Sequence, residues 1–119
     1  MSLCINRLVQ QIIGSIKMKI ERVLTKKEEQ LAEERFFRAI MTLKDMDEYR
    51  SFFNDICTPA EFESIKDRWS VAELLDEGYT YREIKTMTGV SLTTIGRVAR
   101  FLFDGANGYK MALKRTKKQ

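Results

Sequence analysis

The sequence predicts an all-α protein of about six helices, and three observations carry that prediction. Thr25 with Glu28, Thr58 with Glu61 and Thr80 with Glu83 repeat the capping-box spacing, in which the threonine hydroxyl accepts from an orphan amide and the glutamate reaches back to the cap amide. Between these marks apolar residues recur every three to four positions, the period of a helix with one buried face. Strand-like alternation of apolar and polar residues is missing along the chain.

The first helix is predicted over residues 4–22, where Ile5, Leu8, Val9, Ile12, Ile16, Ile20 and Val23 share one stripe. Arg7, Gln10, Gln11 and Lys17 interrupt it well short of the roughly 20 apolar residues a membrane span needs. It is expected to pack on the core or on a second subunit. A membrane-surface helix is the rival, weakened by a polar face that contains Gln and Asn rather than dense basic charge. Thr25 opens a second helix over 26–44, with Leu31, Phe36, Phe37, Ile40 and Leu43 at helical spacing. A third, 47–56, carries Phe52, Phe53 and Ile56. Thr58 opens a fourth over 59–77, reinforced by Pro59, whose missing amide proton and fixed φ suit the first helical position. Phe62, Ile65, Trp69, Ala72 and Leu75 supply its apolar stripe, and Gly78 suits a left-handed stop. Two short helices follow at 81–88 and 91–103, then a "DGANGY" turn and a basic tail, "KRTKKQ", expected to be mobile.

The 119 residues, 44% apolar, suffice for one core, so a single domain is the default. The formal charge of +4 is unevenly spread. Residues 1–78 hold 12 Lys/Arg against 15 Asp/Glu, a net of −3, and residues 79–119 hold 9 against 2, a net of +7. A segregated positive field attracts polyanions, which makes nucleic acid the leading partner class and an anionic membrane surface the other. Histidine is absent, and with it the commonest general base and metal ligand. Cys4 and Cys57 stand far apart without CxxC spacing, so neither a zinc site nor a disulfide framework is expected, and a reducing, cytoplasmic setting is the simpler inference. Cys57 reads as a small buried hydrophobe. No phosphate-binding glycine loop or nucleophile elbow occurs, and no constellation of nucleophile, base and oxyanion donor can be drawn, so no enzymatic role and no metal are expected.

The last two helices hold the most informative pattern. Thr80 caps a helix of barely two turns, Gly89 sits where a sharp turn needs tolerance of positive φ, and Ser91 can cap the next helix. Ile84, Val90, Ile95 and Val98 fall where two helices joined by a short turn must bury apolar contacts, which is a helix-turn-helix over about 80–103. An ordinary helical corner would share much of this pattern. At about 100° per residue, Leu92, Ile95, Val98, Ala99 and Leu102 fall on the anchoring side and Thr93, Arg97 and Arg100 on the other. Short hydroxyls then lie at the helix start with long cations further along, the layout of a recognition helix in a major groove. Arg82 and Lys85 on the preceding helix can reach the neighbouring backbone. Gly96 either allows close backbone approach or is simply tolerated, at ~1 kcal/mol of helix propensity.

The strings "DIC-T-x-x-E", "EGYTYREI", "TG-x-S-x-x-TI-x-RV-x-R-x-L" and "GANGYK" resemble the Trp repressor superfamily, in particular its YerC/YecD group of Trp-repressor-related proteins, over approximately Glu34 to Arg115. The resemblance implies an intertwined homodimer with a helix-turn-helix head on each subunit, reading half-sites about 34–36 Å apart on double-stranded DNA. It divides the chain into an N-terminal helical extension, 1–30, outside the resemblance, and a Trp-repressor-like DNA-binding domain, 31–119. It implies DNA-facing roles for Arg82, Lys85, Ser91, Leu92, Thr93 and Gly96, and together with Thr94 and with Arg97 and Arg100 from the helical-face reading these make up the candidate DNA-binding set. Arg97 and Arg68 match two arginines that flank the bound effector in the repressor, so they form a candidate effector pocket. The repressor has a glycine and a serine at positions that here are Val98 and Phe101, and a branched side chain and a ring there would fill or block an indole pocket. No cofactor is expected, tryptophan is disfavoured as effector, and any other small-molecule effector is unidentified.

The expectation is therefore a homodimeric, sequence-specific DNA-binding transcriptional regulator, a repressor by analogy. The alternative is a protein-interaction or dimerisation module whose helix-turn-helix is architectural, favoured by the acidic N-terminal portion and by Phe101 and Phe103 on the outer side of the last helix.

Overall fold

The computed structural model describes residues 6–13 and 25–117, and the described residues form seven helices and no strand. Residues 6–13 are helical (α1), followed by α2 (Lys26–Met41), α3 (Met46–Ile56), α4 (Pro59–Asp76), α5 (Tyr81–Thr88), α6 (Leu92–Asp104) and α7 (Gly108–Lys117). The all-α class is as predicted. Of the first predicted helix, Ile5, Ile16, Ile20 and Val23 lie outside the described residues. The second ends at Met41 rather than residue 44, where the Thr42 hydroxyl donates to the Ala39 carbonyl (2.6 Å) and competes with continuation of the helix.

All three boxes form. The Thr25, Thr58 and Thr80 hydroxyls accept from the amides of Glu28, Glu61 and Glu83, and each cap amide donates back to the carboxylate at 2.9–3.2 Å. At the other end of α4 the Gly78 amide donates to the Leu75 carbonyl and the Tyr79 amide to Leu74, both at 3.1 Å, with Gly78 at φ 93°. This paired closure needs a left-handed residue, which glycine supplies without a Cβ penalty.

The chain divides into two units, residues 1–49 and 50–119. In the first, no described residue is buried, although Leu8, Val9, Ile12, Ile13, Leu31, Phe37 and Met41 are all large and apolar. The second has a core of Val71 and Ala72 from α4, Ile84 from α5, Val90 from the turn, and Ile95 and Val98 from α6, with Leu74, Leu75 and Tyr109 packed against it. Side chains such as Ile84 and Ile95, fully removed from water, each contribute about 1.5–3 kcal/mol. Cys57 is half-buried with a free thiol, so it is less enclosed than its apolar context suggests.

The tail corrects the sequence reading. Residues 108–117, expected as part of a turn and a mobile basic tail, are the helix α7. Tyr109, Ala112 and Leu113 recur at helical spacing and face inward: Leu113 is buried, and the Tyr109 ring stacks on Trp69 at 6.5 Å between centroids. Lys117 forms an ion pair with Asp76 near the end of α4, and Lys114, Arg115 and Lys117 sit where a helix C-terminus favours cations. Charge density concealed an amphipathic period.

Candidate nucleic-acid interface

The α5–α6 pair is fixed from below by apolar contact and from within by its turn. Gly89 takes φ 74°, and its amide donates to the Lys85 carbonyl (2.9 Å), closing α5. The Thr88 hydroxyl donates to the Ile84 carbonyl (2.7 Å) and accepts from the Val90 amide (3.1 Å), so one side chain ties the last turn of α5 to the exit of the loop. Val90 then enters the core, and Ser91 caps α6 by accepting from the Thr94 amide (3.2 Å). Ile84, Val90, Ile95 and Val98 are buried together, as the sequence pattern requires of two helices sharing a short turn.

Of the residues singled out in the sequence, Arg82, Lys85, Ser91, Leu92, Thr93, Arg97 and Arg100 are exposed, and Thr94 and Gly96 are half-buried. The Ser91 hydroxyl also donates to Thr94 Oγ1 at 3.1 Å, so both hydroxyls take part in the cap. Leu92 corrects the predicted anchoring side: it is 49% exposed, whereas Ile95, Val98, Ala99 and Leu102 are buried. As the first residue of α6 it lies beyond the core that its helical phase points toward.

None of Arg82, Lys85, Arg97 and Arg100 has a carboxylate partner among the described residues, and the neighbouring Glu83 carboxylate is occupied by the Thr80 amide and hydroxyl. Four cations on two short helices thus keep their charge available to an external anion. The two arginines of α6 converge on one ring: the Arg97 and Arg100 guanidinium carbons lie 5.7 and 5.6 Å from the Phe101 centroid. These contacts orient long side chains that would otherwise sample many rotamers. Sequence spacing did not single out Phe101 for this, although an aromatic residue four positions after an arginine is a readable signal.

An open apolar cavity of about 490 Å³ lies against α4, α6 and α7, lined by Trp69, Phe101, Ala106, Gly108, Tyr109 and Ala112. The candidate effector residues Arg68 and Arg97 are not among its lining; both are exposed. Val98 is 1% exposed and belongs to the core. Among the described residues no group of three or more His, Cys, Asp or Glu is disposed to hold a metal, and no helix is long and apolar enough to cross a membrane.

Buried hydrophobic support, a glycine turn, a capped second helix and exposed cations on the outer surface together define an all-α helix-turn-helix protein. The chain belongs to the Trp repressor protein family, whose profile matches residues 20–117. It is 44% identical over 100 residues, 84% of this chain and 91% of the relative, to the uncharacterized protein YerC of Bacillus subtilis (strain 168). Among solved structures it is similar to a TrpR-like protein from Eubacterium eligens ATCC 27750, at 44% identity and a TM-score of 0.71, covering 73% of this chain and 90% of that one. A candidate Trp repressor from Staphylococcus aureus has the same TM-score at 37% identity, covering 86% of this chain and 97% of that one.

Proposed function

We propose that this chain is a homodimeric, sequence-specific DNA-binding transcriptional regulator that represses its targets. The observation that carries the reading is the division of the α5–α6 pair into a buried apolar side and an outer side with four cations that have no carboxylate partner among the described residues. Arg82, Lys85, Arg97 and Arg100 supply salt-sensitive attraction to phosphates, and Thr93 with the start of α6 supplies contacts to base edges, direct or through water. Family membership supports the same reading.

Dimerisation is supported by the first 49 residues, where Leu8, Ile12, Leu31, Phe37 and Met41 stay exposed. Apolar surface on this scale needs a covering partner, and a second copy supplies one with the same composition. Tryptophan is not the effector in this reading: Val98 is core, and the Phe101 ring lies against two guanidiniums at a position where the family's ligand needs room.

Fluorescence anisotropy with duplex DNA across a salt series tests the proposal. Binding weakens steeply as salt rises, and Arg97→Ala weakens it further; no detectable binding at low salt sinks the reading. Phe103, 66% exposed, favours the second reading, an interaction module with an architectural helix-turn-helix. The double substitution Arg97→Glu, Arg100→Glu separates the two, since only a DNA binder loses duplex affinity.

A further inference from the structure

Helix α7 has an outer face that the helix-turn-helix does not use. The segment Gly108–Lys117 holds four cations and no carboxylate. Tyr109, Ala112 and Leu113 face inward, and Lys117 is occupied by Asp76. At about 100° per residue this leaves Lys110, Met111, Lys114 and Arg115 on the opposite side, and all four are exposed. Lys114 and Arg115 have no carboxylate partner among the described residues. The Lys110 ammonium donates to the Phe103 carbonyl at 3.5 Å, so the basic face of α7 begins where α6 ends. An open groove of about 460 Å³ runs along it, lined by Asn107, Lys110, Met111, Lys114 and Arg115.

We infer that this face is a second docking surface for double-stranded DNA, in which Lys110, Lys114 and Arg115 bind backbone phosphates without reading sequence. The inference rests on the proposed duplex-binding function and adds a contact outside the helix-turn-helix. Charge complementarity selects the occupant. A duplex offers one negative charge per about 1.7 Å of its axis, and the ten residues of α7 span about 15 Å of cationic surface. An anionic membrane fits less well, because interfacial helices insert an apolar face. Here that face is turned into the protein, and Met111 is the one apolar side chain left on the outer side. Contacts to phosphate alone add affinity and salt dependence equally for every sequence.

The test uses the full chain with a random-sequence duplex and a salt series. The variant Lys110→Gln, Lys114→Gln, Arg115→Gln is compared with wild type and with the charge-preserving Lys110→Arg, Lys114→Arg, Arg115→Lys. The neutral variant is expected to lower the slope of log K against log salt by about 2–3 in magnitude for each subunit whose α7 engages the duplex, and the charge-preserving one to keep it. Far-UV circular dichroism of both verifies that α7 persists. A wild type that binds duplex with a slope unchanged in the neutral variant overturns the inference and leaves the proposed function standing; a wild type that fails to bind duplex at low salt overturns the function itself. Pelleting with phosphatidylserine vesicles is run in parallel. If the neutral variant abolishes pelleting and leaves the duplex slope intact, the occupant is an anionic lipid surface and the inference fails.

Discussion

Arg97 packs its guanidinium over the ring of Phe101 at 5.7 Å, one turn further along α6, and Arg100 reaches the same ring from the adjacent position. Each exposed cation–π pair of this kind is worth about 0.5–1 kcal/mol of electrostatic attraction to the ring, and an arginine already held there has less side-chain freedom to lose on binding. Phe101→Leu removes the ring and keeps an apolar side chain. It is expected to weaken duplex binding by about two- to five-fold for each arginine released from the ring, with little change in melting temperature, because Phe101 is exposed. Titration of the variant against the same duplex checks this, and unchanged affinity would show that the ring does not organise the arginines.

Two residues on one helix separate fold from interface. Ile95 is fully buried in the core that joins α4, α5 and α6, so Ile95→Ala leaves a cavity and costs about 2–5 kcal/mol of stability. Leu92 is largely outside that core, and Leu92→Ala is expected to change stability by no more than about 0.5 kcal/mol. Urea denaturation of the two variants makes the comparison. Comparable losses would mean that Leu92 is buried in solution, as its helical phase predicts.

The α4 cap titrates. Glu61 has its carboxyl held below the ordinary 4.5, first by the Thr58 amide that donates to it at 2.9 Å and then by the Thr58 side chain. A carboxylate favoured in the folded state stabilises it fully above the unfolded pKa, and that contribution disappears as pH falls through the lowered folded value. Glu61→Gln keeps the shape and removes the charge. Its thermal melts are therefore expected to show a smaller loss of stability than wild type on acidification from near neutrality through 4.5. The effect is small, since the group is fully exposed, and wild-type and variant curves that fall in parallel would refute the assignment.

The boundaries and the core were legible where local chemistry and tertiary packing agree. The threonine–glutamate boxes, Gly78, Gly89 and the quartet Ile84, Val90, Ile95 and Val98 act over spacings of a few residues, and the structure follows them. Sequence periodicity failed where neighbours outside the helix decide. Leu92 has the phase of a core residue but no core beside it. Helix α7 is concealed by its lysines because the partner that stabilises its apolar stripe, Trp69, lies forty residues earlier in the chain. The cationic residues of the candidate interface were readable as a cluster. The convergence of Arg97 and Arg100 on Phe101 depends on rotamers, which no spacing specifies.

The first 49 residues supply a prediction about assembly. Phe37 and Met41 lie four positions apart on α2, both exposed, on a helix with no buried residue. Under the dimer proposal these side chains are covered by the partner copy. Phe37→Asp with Met41→Asp would place two carboxylates in that interface, each facing a desolvation cost. Sedimentation velocity is expected to move from dimer in the wild type toward monomer in the variant. A variant that stays dimeric would remove this surface of α2 from the interface.

Gly96 is the position at which stability and DNA binding are expected to move in opposite directions. It lies inside α6, where glycine costs about 0.5–1 kcal/mol relative to alanine. A Cβ built there meets only Tyr81 Cε2 at 3.9 Å, an ordinary contact, so the protein interior does not demand glycine. Gly96→Ala should therefore raise the melting temperature. If the groove of a duplex approaches α6 along the Arg97 side, the same methyl group is expected to weaken binding, with Gly96→Val weakening it more. Melting and anisotropy on the same two variants decide between the roles: a stabilised alanine variant with full duplex affinity would make Gly96 a tolerated residue of the helix and take it out of the interface.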